Sequence, residues 1–299
     1  MKTKFFVILL IAALVFPQAK TAQAQGSDPR QMASQIVARA KIWVDNKVPY
    51  NQSAYRNSYR TDCSGFASYA WQVKNSKGEV DNPDGIRLAN DYGVKIDFNS
   101  LQPGDIINNM RPGNSGHVVI FVRWATVGSK FYAYEENGYN GIAISSTLNL
   151  ENHKTNGVVD GTTIKEYEPY APGPYYAYRY KSIPGFADVV DGVSLSNYSP
   201  KSGETVTAWF QIRNNGAQSI LISQLTAGAR GPNAKSQGWN ATSVDFPVVK
   251  NISLKPGETY RYLQSRSFFA IGDYFVEPVK DQNGWGGISP WPRSYFNVK

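Results

Sequence analysis

Residues 61–71, TDCSGFASYAW, hold the only cysteine of the 299-residue chain. From Cys63 onward the apolar residues recur at helical spacing, with Phe66, Ala70 and Val73 on one face, and this predicts a helix that begins at Cys63. Unpaired N–H groups and the helix dipole at such a start stabilise an anion. The pattern therefore places the thiol where its nucleophilic thiolate form is favoured.

The neighbours of Cys63 fit a substrate site. Ser64 and Gly65 are small, so a substrate or another chain segment can approach closely. Their amides, or that of Cys63 itself, could form an oxyanion hole. We therefore expect Asp62, Ser64 and Gly65 to contribute to substrate binding.

The first residues are typical of a secretory signal peptide, predicted over residues 1–24. Lys2 and Lys4 precede an apolar run over residues 5–16, and the small residues at 22–24 offer a cleavage site. The run is shorter than the roughly 20 residues of a spanning helix, although an uncleaved anchor is an alternative. No second apolar run follows in the sequence. We therefore expect a soluble exported protein, either secreted or held in the periplasm or cell wall.

Export makes a single cysteine unusual, because exported proteins generally use cysteines in disulfide pairs. One cysteine cannot form an internal disulfide. It is a buried spectator, an intermolecular link or a reactive thiol, and its place at a predicted helix start favours the reactive thiol.

The charge balance bears on the partners of the protein. The signal segment carries three lysines and no acid, so its removal lowers the formal net charge from +8 to +5. A mildly basic exported protein is attracted to anionic polymers, such as peptidoglycan or other cell-wall polymers. No dense lysine and arginine stripe occurs, which disfavours nucleic acid. The oligomeric state stays open.

Residues 25–182 show helices followed by strands, and this order predicts an α+β domain with N-terminal helices and an antiparallel sheet. A helix is expected over residues 28–48, with Asp28 as cap and Pro29 in its first turn. A polar loop should lead from it to Asp62. Alternation in GHVVIFVRW, residues 116–124, places Trp124 on the face of Val118.

Residues 183–190 read as a linker, and residues 191–299 as an all-β sandwich domain of immunoglobulin-like type. Alternation predicts that Val206, Ala208, Phe210 and Ile212 face inward. Several tryptophans could stack on sugar rings or could be scattered surface and packing residues, and a spacer role for the domain is the favoured interpretation; they are Trp209, Trp239, Trp285 and Trp291.

A thiolate nucleophile needs an imidazole partner, and the chain has two histidines. His117 opens a predicted strand after RPGNSG, where its ring can face a cleft. His153 lies in the polar stretch LENHKTNG and is expected on the surface. His117 is therefore the candidate base.

Four motifs in order resemble those of the NlpC-like cell-wall cysteine peptidases: VPY, DCSGF, LQPGDII and GHVVIFV. The resemblance covers roughly residues 28–181, and the related CHAP group shares the same papain-like core. It implies an α+β papain-like fold, with Cys63 as the nucleophile, His117 as the base and Tyr50 lining the site.

The third polar residue of the site is left open between two patterns. NlpC-like peptidases place a histidine, asparagine or glutamine on the next strand, and the CHAP group places an acid in a Glu-x-Asn segment. This chain reads Glu135-Glu136-Asn137. Alternation puts Glu135 and Asn137 on one face and Glu136 on the other. We expect Glu135 to orient the imidazole, with Asn137 beside it.

The resemblance implies hydrolysis of an amide bond in peptidoglycan stem peptides, and it requires no metal or organic cofactor. Two alternatives stay open. One is an N-acetylmuramoyl-L-alanine amidase on the same core, and the other is a non-catalytic cell-wall-binding protein.

Overall fold

The structure, a computed structural model, describes residues 28–155, 158–282, 284–288 and 293–299. The predicted signal peptide and Trp291 lie outside the described residues. Within these ranges the helices are α1 (Pro29–Asp45), α2 (Cys63–Trp71), α3 (Gly85–Tyr92) and α4 (Ala234–Gln237). None of these described helices has the length and apolarity to cross a membrane.

The strands divide between two parts of the chain. The first part holds β1 (Asn51–Arg56), β2 (Tyr59–Thr61), β3 (Gly93–Ile96), β4 (Ile106–Asn108), β5 (Val118–Thr126), β6 (Lys130–Asn137), β7 (Ile142–Thr155), β8 (Val158–Ile164) and β9 (Tyr176–Tyr180). The second part holds β10 (Ala187–Leu195), β11 (Thr205–Asn214), β12 (Ile220–Arg230), β13 (Val249–Leu254), β14 (Thr259–Ser267), β15 (Gly272–Asp281), β16 (Trp285–Gly287) and β17 (Ser294–Val298).

A seven-stranded antiparallel sheet organises the first part of the chain, in the order β3-β9-β4-β5-β6-β7-β8. One face of the sheet packs against α1 and α2, with Trp43, Phe66 and Trp71 in the shared core. The other face carries a second core that includes Phe121 and Phe131. The sheet is therefore covered on both sides, and the helices lie on one side of it.

The expectation of an α+β papain-like core is wrong. Among the described residues 46% lie in strands and 19% in helical segments, and the strands form several sheets. The stretch between α1 and Asp62, predicted as a polar loop, forms the β1–β2 hairpin. The residues of β1 are polar and largely exposed, so this strand lacks the apolar alternation by which a sequence reveals strands.

Local signals did predict the starts of α1 and α2. Asp28 caps α1 by accepting a hydrogen bond from the Arg30 amide at 3.0 Å, and Pro29 stands in the first turn. The buried side of α1 carries Ile36, Ala40 and Trp43. The helix predicted from Cys63 is confirmed as α2.

A β-bulge changes one predicted face of β5. The pairing of β5 with β6 shifts register between Phe121 and Arg123, so Val122 is the extra residue. After the bulge, Trp124 packs against Phe121 and Phe131 instead of sharing the face of Val118. The prediction for Trp124 is therefore wrong, because one inserted residue reverses the alternation beyond it.

Two antiparallel sheets face each other in the second part of the chain. One has the order β10-β11-β14, and the other has the order β13-β12-β15-β16, with β17 also on β15. Both sheets contribute to one hydrophobic core. The four residues of β11 predicted to face inward are buried, as the alternation required: Val206, Ala208, Phe210 and Ile212.

The two parts meet at Arg179. Its guanidinium makes a buried two-point ion pair with Asp105, at 2.7 and 3.0 Å. It also donates to the Ser100 carbonyl at 2.6 Å and to the Asn215 carbonyl, in the second part, at 2.8 Å. The strand β10 begins at Ala187, inside the stretch 183–190 that reads as a linker.

Gly65 has no room for a side chain. A Cβ on Gly65 would overlap the backbone carbonyl of Arg60 in β2, whereas a Cβ on Gly286 would meet no described atom within 4 Å. We expect Gly65→Ala to lower the free energy of unfolding by about 1–3 kcal/mol or more, although alanine favours helices. Urea unfolding followed by circular dichroism measures this.

Gly286→Ala is the matched control for Gly65→Ala and should unfold close to the unaltered chain. Equal stability of the two variants would show that α2 does not approach β2 as closely as described.

Candidate active site

The start of α2 is fixed by Asp62. The Asp62 carboxylate accepts a hydrogen bond from the Gly65 amide at 2.7 Å, and the Asp62 carbonyl accepts one from the Phe66 amide at 2.8 Å. This is a side-chain N-cap, and it makes Cys63 the first residue of the helix. The thiol therefore lies at the positive end of the helix dipole.

The Gly65 amide is not available to an oxyanion, because the Asp62 carboxylate already accepts its hydrogen. The close approach that Gly65 permits is to the chain's own Arg60 backbone and not to a substrate. The amides of Cys63 and Ser64 belong to the first helical turn and have no intrahelical acceptor. They are the better candidates for an oxyanion hole.

Asp62 and Ser64 form a network with Arg60. Arg60 Nε donates to Asp62 at 2.5 Å, and Arg60 Nη2 donates to Ser64 Oγ at 2.7 Å. Both residues line the cleft beside Cys63 but are more than nine-tenths buried. Their observed contacts hold the helix start against β2, and their role in substrate binding stays a prediction.

His117 is presented by a loop that Asn109 closes. The side-chain oxygen of Asn109 accepts a hydrogen bond from the backbone N–H of His117 at 2.9 Å. The backbone N–H of Asn109 donates to the His117 carbonyl at 3.3 Å. Cys63 Sγ lies 4.0 Å from the carbonyl oxygen of Gly116, the residue before His117. Cys63 and His117 line the same part of the cleft, so the thiol lies beside the imidazole.

Glu135 holds the far side of the imidazole. His117 Nε2 lies 2.9 Å from Glu135 Oε2, so Nδ1 is the ring nitrogen left to face the thiol. The same carboxylate accepts hydrogen bonds from Asn137 Nδ2 at 3.0 Å, from the Tyr167 hydroxyl at 2.5 Å and from the Ser146 hydroxyl. Glu135 is 1% exposed. The structure therefore places a fully hydrogen-bonded carboxylate behind the candidate base.

These contacts set the charge of the pair. Burial favours the neutral imidazole, but the interactions with Cys63 and then with Glu135 outweigh it and raise the pKa of His117 to about 9. Burial would raise the pKa of Glu135, but the hydrogen bond from His117 contributes to a net pKa below its usual value. At neutral pH the site therefore favours an imidazolium beside the Glu135 carboxylate.

Asn137 supports Glu135 and the turn that follows β6. Besides its bond to Glu135, its side-chain oxygen accepts the amide hydrogens of Tyr139 at 2.8 Å and Asn140 at 3.3 Å. With these contacts Asn137 positions the carboxylate. The described contacts do not place it against the imidazole.

Glu136 faces the opposite side of β6, towards the helices. It is completely buried, and neither carboxylate oxygen has a hydrogen-bond partner among the described residues. Burial, and next the charge of Asp62, raise the pKa of Glu136 to about 8. At neutral pH the side chain is therefore largely protonated, which avoids a second buried negative charge near Asp62.

A cleft with two lobes passes the Cys63–His117 pair, and Tyr50 lies where the lobes meet. One lobe has a volume of about 650 Å³ and is lined by Tyr139 and Tyr170, whose rings stack with their centroids 5.7 Å apart. The other has a volume of about 320 Å³ and is lined by charged side chains: Arg60, Asp62, Asp84 and Arg111. Tyr50 and His117 line both lobes.

Two residues of the site escaped the sequence interpretation, and one residue expected on the surface lies in a strand. His153 lies in β7, and the structure describes its backbone only. Tyr167 was missed, since nothing local in IKEYEPY relates it to Glu135. Ser146 was missed too, although β7 alternation could have found it: Ile144 pairs with Glu135, and Ser146 lies two residues further on the same face.

The described residues contain no group of three or more metal-ligating side chains arranged to hold a metal ion.

No family model and no curated protein matches the chain. Solved structures similar to parts of it include a cycloisomaltooligosaccharide glucanotransferase from Paenibacillus sp., at 14% identity, a TM-score of 0.28 and 39% coverage of this chain. The C-terminal domain of Wzt matches at 10% identity and a TM-score of 0.28, over 39% of this chain. The sporulation control protein Spo0M from Bacillus subtilis matches at 17% identity and a TM-score of 0.26, over 38% of this chain.

The matched parts cover 14% of the glucanotransferase, 75% of the Wzt domain and 49% of Spo0M. None of these proteins is an NlpC-like or CHAP-like peptidase. Likenesses at this level carry no functional argument for this chain, so its function is argued from the geometry of the site.

Replacement of Glu135 should change the titration of His117. In Glu135→Gln a neutral amide replaces the carboxylate that favours imidazolium, so the pKa of His117 should fall from about 9 towards the ordinary value of 6.5. Nuclear magnetic resonance of the ring protons measures the titration, and the His117→Ala spectrum assigns the signal. Glu136→Gln, on the other face of the strand, is the control and should leave the His117 pKa nearly unchanged.

Replacement of Glu136 should change stability with pH. Its folded-state pKa of about 8 exceeds the ordinary value of 4.5, so its contribution to stability is complete below about pH 4.5 and is lost as pH rises towards 8. Glu136→Gln removes this loss, so the variant should have a higher Tm than the unaltered chain at pH 8 and a similar Tm at pH 5. Parallel curves of Tm against pH for the two proteins would contradict the assignment.

Proposed function

We propose that the chain is a cysteine-dependent hydrolase that cleaves amide bonds in the stem peptides of peptidoglycan. The observation that carries the proposal is the row of Cys63, His117 and Glu135, in which a thiol at a helix start lies beside an imidazole that a buried carboxylate holds. This arrangement is suited to nucleophilic catalysis, since an imidazolium beside a thiol stabilises the attacking thiolate and holds a proton for the leaving group.

The reaction follows from these positions. The Cys63 thiolate attacks the amide carbonyl, and the carbonyl oxygen gains a negative charge beside the Cys63 and Ser64 amides. The His117 Nδ1 proton passes to the leaving amine as the carbon–nitrogen bond breaks. A water molecule then attacks the thioester while His117 takes its proton. Thiolate leaves, and imidazolium is restored.

The cleft supports a peptide substrate with charged groups on one side of the bond. The lobe that contains Cys63 is lined by the acid Asp84 and the base Arg111, which suit the amino and carboxylate groups of a stem peptide. The lobe beyond His117 is lined by Tyr139 and Tyr170 and suits an uncharged portion. The resemblance to NlpC-like and CHAP-like peptidases supports the same substrate class, and the pattern of residues 1–24 supports export to the compartment that holds it.

The catalytic roles predict the effect of two substitutions. Cys63→Ala should reduce hydrolysis of purified peptidoglycan by about a thousandfold or more with the circular dichroism spectrum unchanged, because the thiol forms the covalent intermediate. His117→Ala should be nearly as damaging, whereas the matched control His153→Ala should stay within about twofold of the unaltered chain. Full activity of Cys63→Ala would eliminate the mechanism.

Mass spectrometry of the digested muropeptides identifies the bond. A stem-peptide endopeptidase leaves a shortened peptide on the sugar. Release of the whole peptide from the sugar would instead assign the amidase activity, and absence of any product from the unaltered chain would favour a non-catalytic wall-binding protein.

A further inference from the structure

A second concave site lies on the outer face of the five-stranded sheet in the second part of the chain. Its volume is about 460 Å³, within the usual range for small-molecule sites. Ala229 and Val276 of β12 and β15 face the core, so the paired Arg230 and Phe275 belong to the outer face. On that face Glu277 is only 2% exposed. The outer face of the sheet is therefore covered at this place and not open to solvent.

Two tryptophans form walls of this site. Trp239 comes from the short turn before β13 and Trp285 from the edge strand β16, and they remain 40% and 54% exposed. Two contacts hold Trp239 in place. Its ring meets Phe275 edge to face, with the ring centroids 5.4 Å apart, and the Arg230 guanidinium lies 4.3 Å from the centroid of its ring. Exposed indoles fixed at a concave site offer flat apolar faces to a ligand.

The charged groups at the site are paired with one another. Arg230 contacts Asp245 at 2.5 Å, and Glu277 accepts from Arg293 at 2.5 Å. The positive and negative side chains therefore balance, and a charged ligand would find no uncompensated partner. A neutral ligand with many hydroxyl groups can still donate to these carboxylates and accept from Arg230.

We propose that this site binds a neutral pyranose ring of a glycan chain. The apolar ring face stacks on Trp239 or Trp285, and the ring hydroxyls bond to Asp245, Glu277 and Arg230. The inference is independent of the proposed hydrolase, because it rests on other residues in the other part of the chain. It assigns a glycan-binding role to a domain whose sequence favours a spacer.

Titration calorimetry with the purified full chain tests the proposal. The probes are a tetramer of N-acetylglucosamine and cellotetraose, which share the neutral pyranose and separate an acetamido sugar from plain glucose. Binding of at least one probe is expected. Trp285→Ala and Trp239→Ala should weaken it by about tenfold or more, which corresponds to about 1.4 kcal/mol. Trp209→Ala, the same change in β11 of the other sheet, is the control and should bind normally.

A second measurement does not depend on the variants folding. In the unaltered chain, the bound probe should shift the indole N–H resonances of Trp239 and Trp285 and leave that of Trp209 in place. The proposal is overturned if neither tetramer binds, if Trp209→Ala alone loses binding, or if a proline-rich peptide shifts the two indoles and the sugars do not. Since the probes contain no peptide, their failure to bind would leave the hydrolase proposal untouched.

Discussion

The buried carboxylate of Glu135 is the interaction on which the candidate site depends. A carboxylate with 1% exposure is stable only if its hydrogen-bonding capacity is filled, and here the four donors come from separate segments of the chain: His117, Asn137, Ser146 and Tyr167. The imidazole can thus adopt few orientations. The His117 ring also packs edge-on against the Tyr167 ring, with the ring centroids 4.7 Å apart. The thiol then needs only the start of α2 to bring it to the remaining ring nitrogen.

Much of this site follows from local patterns in the sequence. Cys63 lies at a helix start and His117 at a strand start, and both boundaries are marked by polar residues next to regular apolar spacing. Two-residue alternation was enough to separate Glu135 from Glu136 in β6, which the structure places on opposite faces. Patterns of this kind depend on residues fewer than ten positions apart, so they can be detected in one sequence.

The remainder depends on contacts between distant segments. Tyr167 reaches Glu135 from 32 positions away, and the closeness of Gly65 to Arg60 depends on how a helix lies against a hairpin. The bulge at Val122 inserts one residue that no composition signal marks. The papain-like expectation failed in the same way: polar strands such as β1 carry no apolar alternation, so the sequence understates the extent of the sheets.

Arg179 has a further consequence for how the molecule comes apart. Its guanidinium belongs to the first sheet, is 1% exposed, and bonds to Asn215 in the second part, while Ala217 is buried in the core around α1 and α2. Opening this junction would expose apolar surface to water, and it would remove the Asn215 carbonyl from the hydrogen bonds around the buried Arg179–Asp105 ion pair. We therefore expect the melting of either half to weaken the other half.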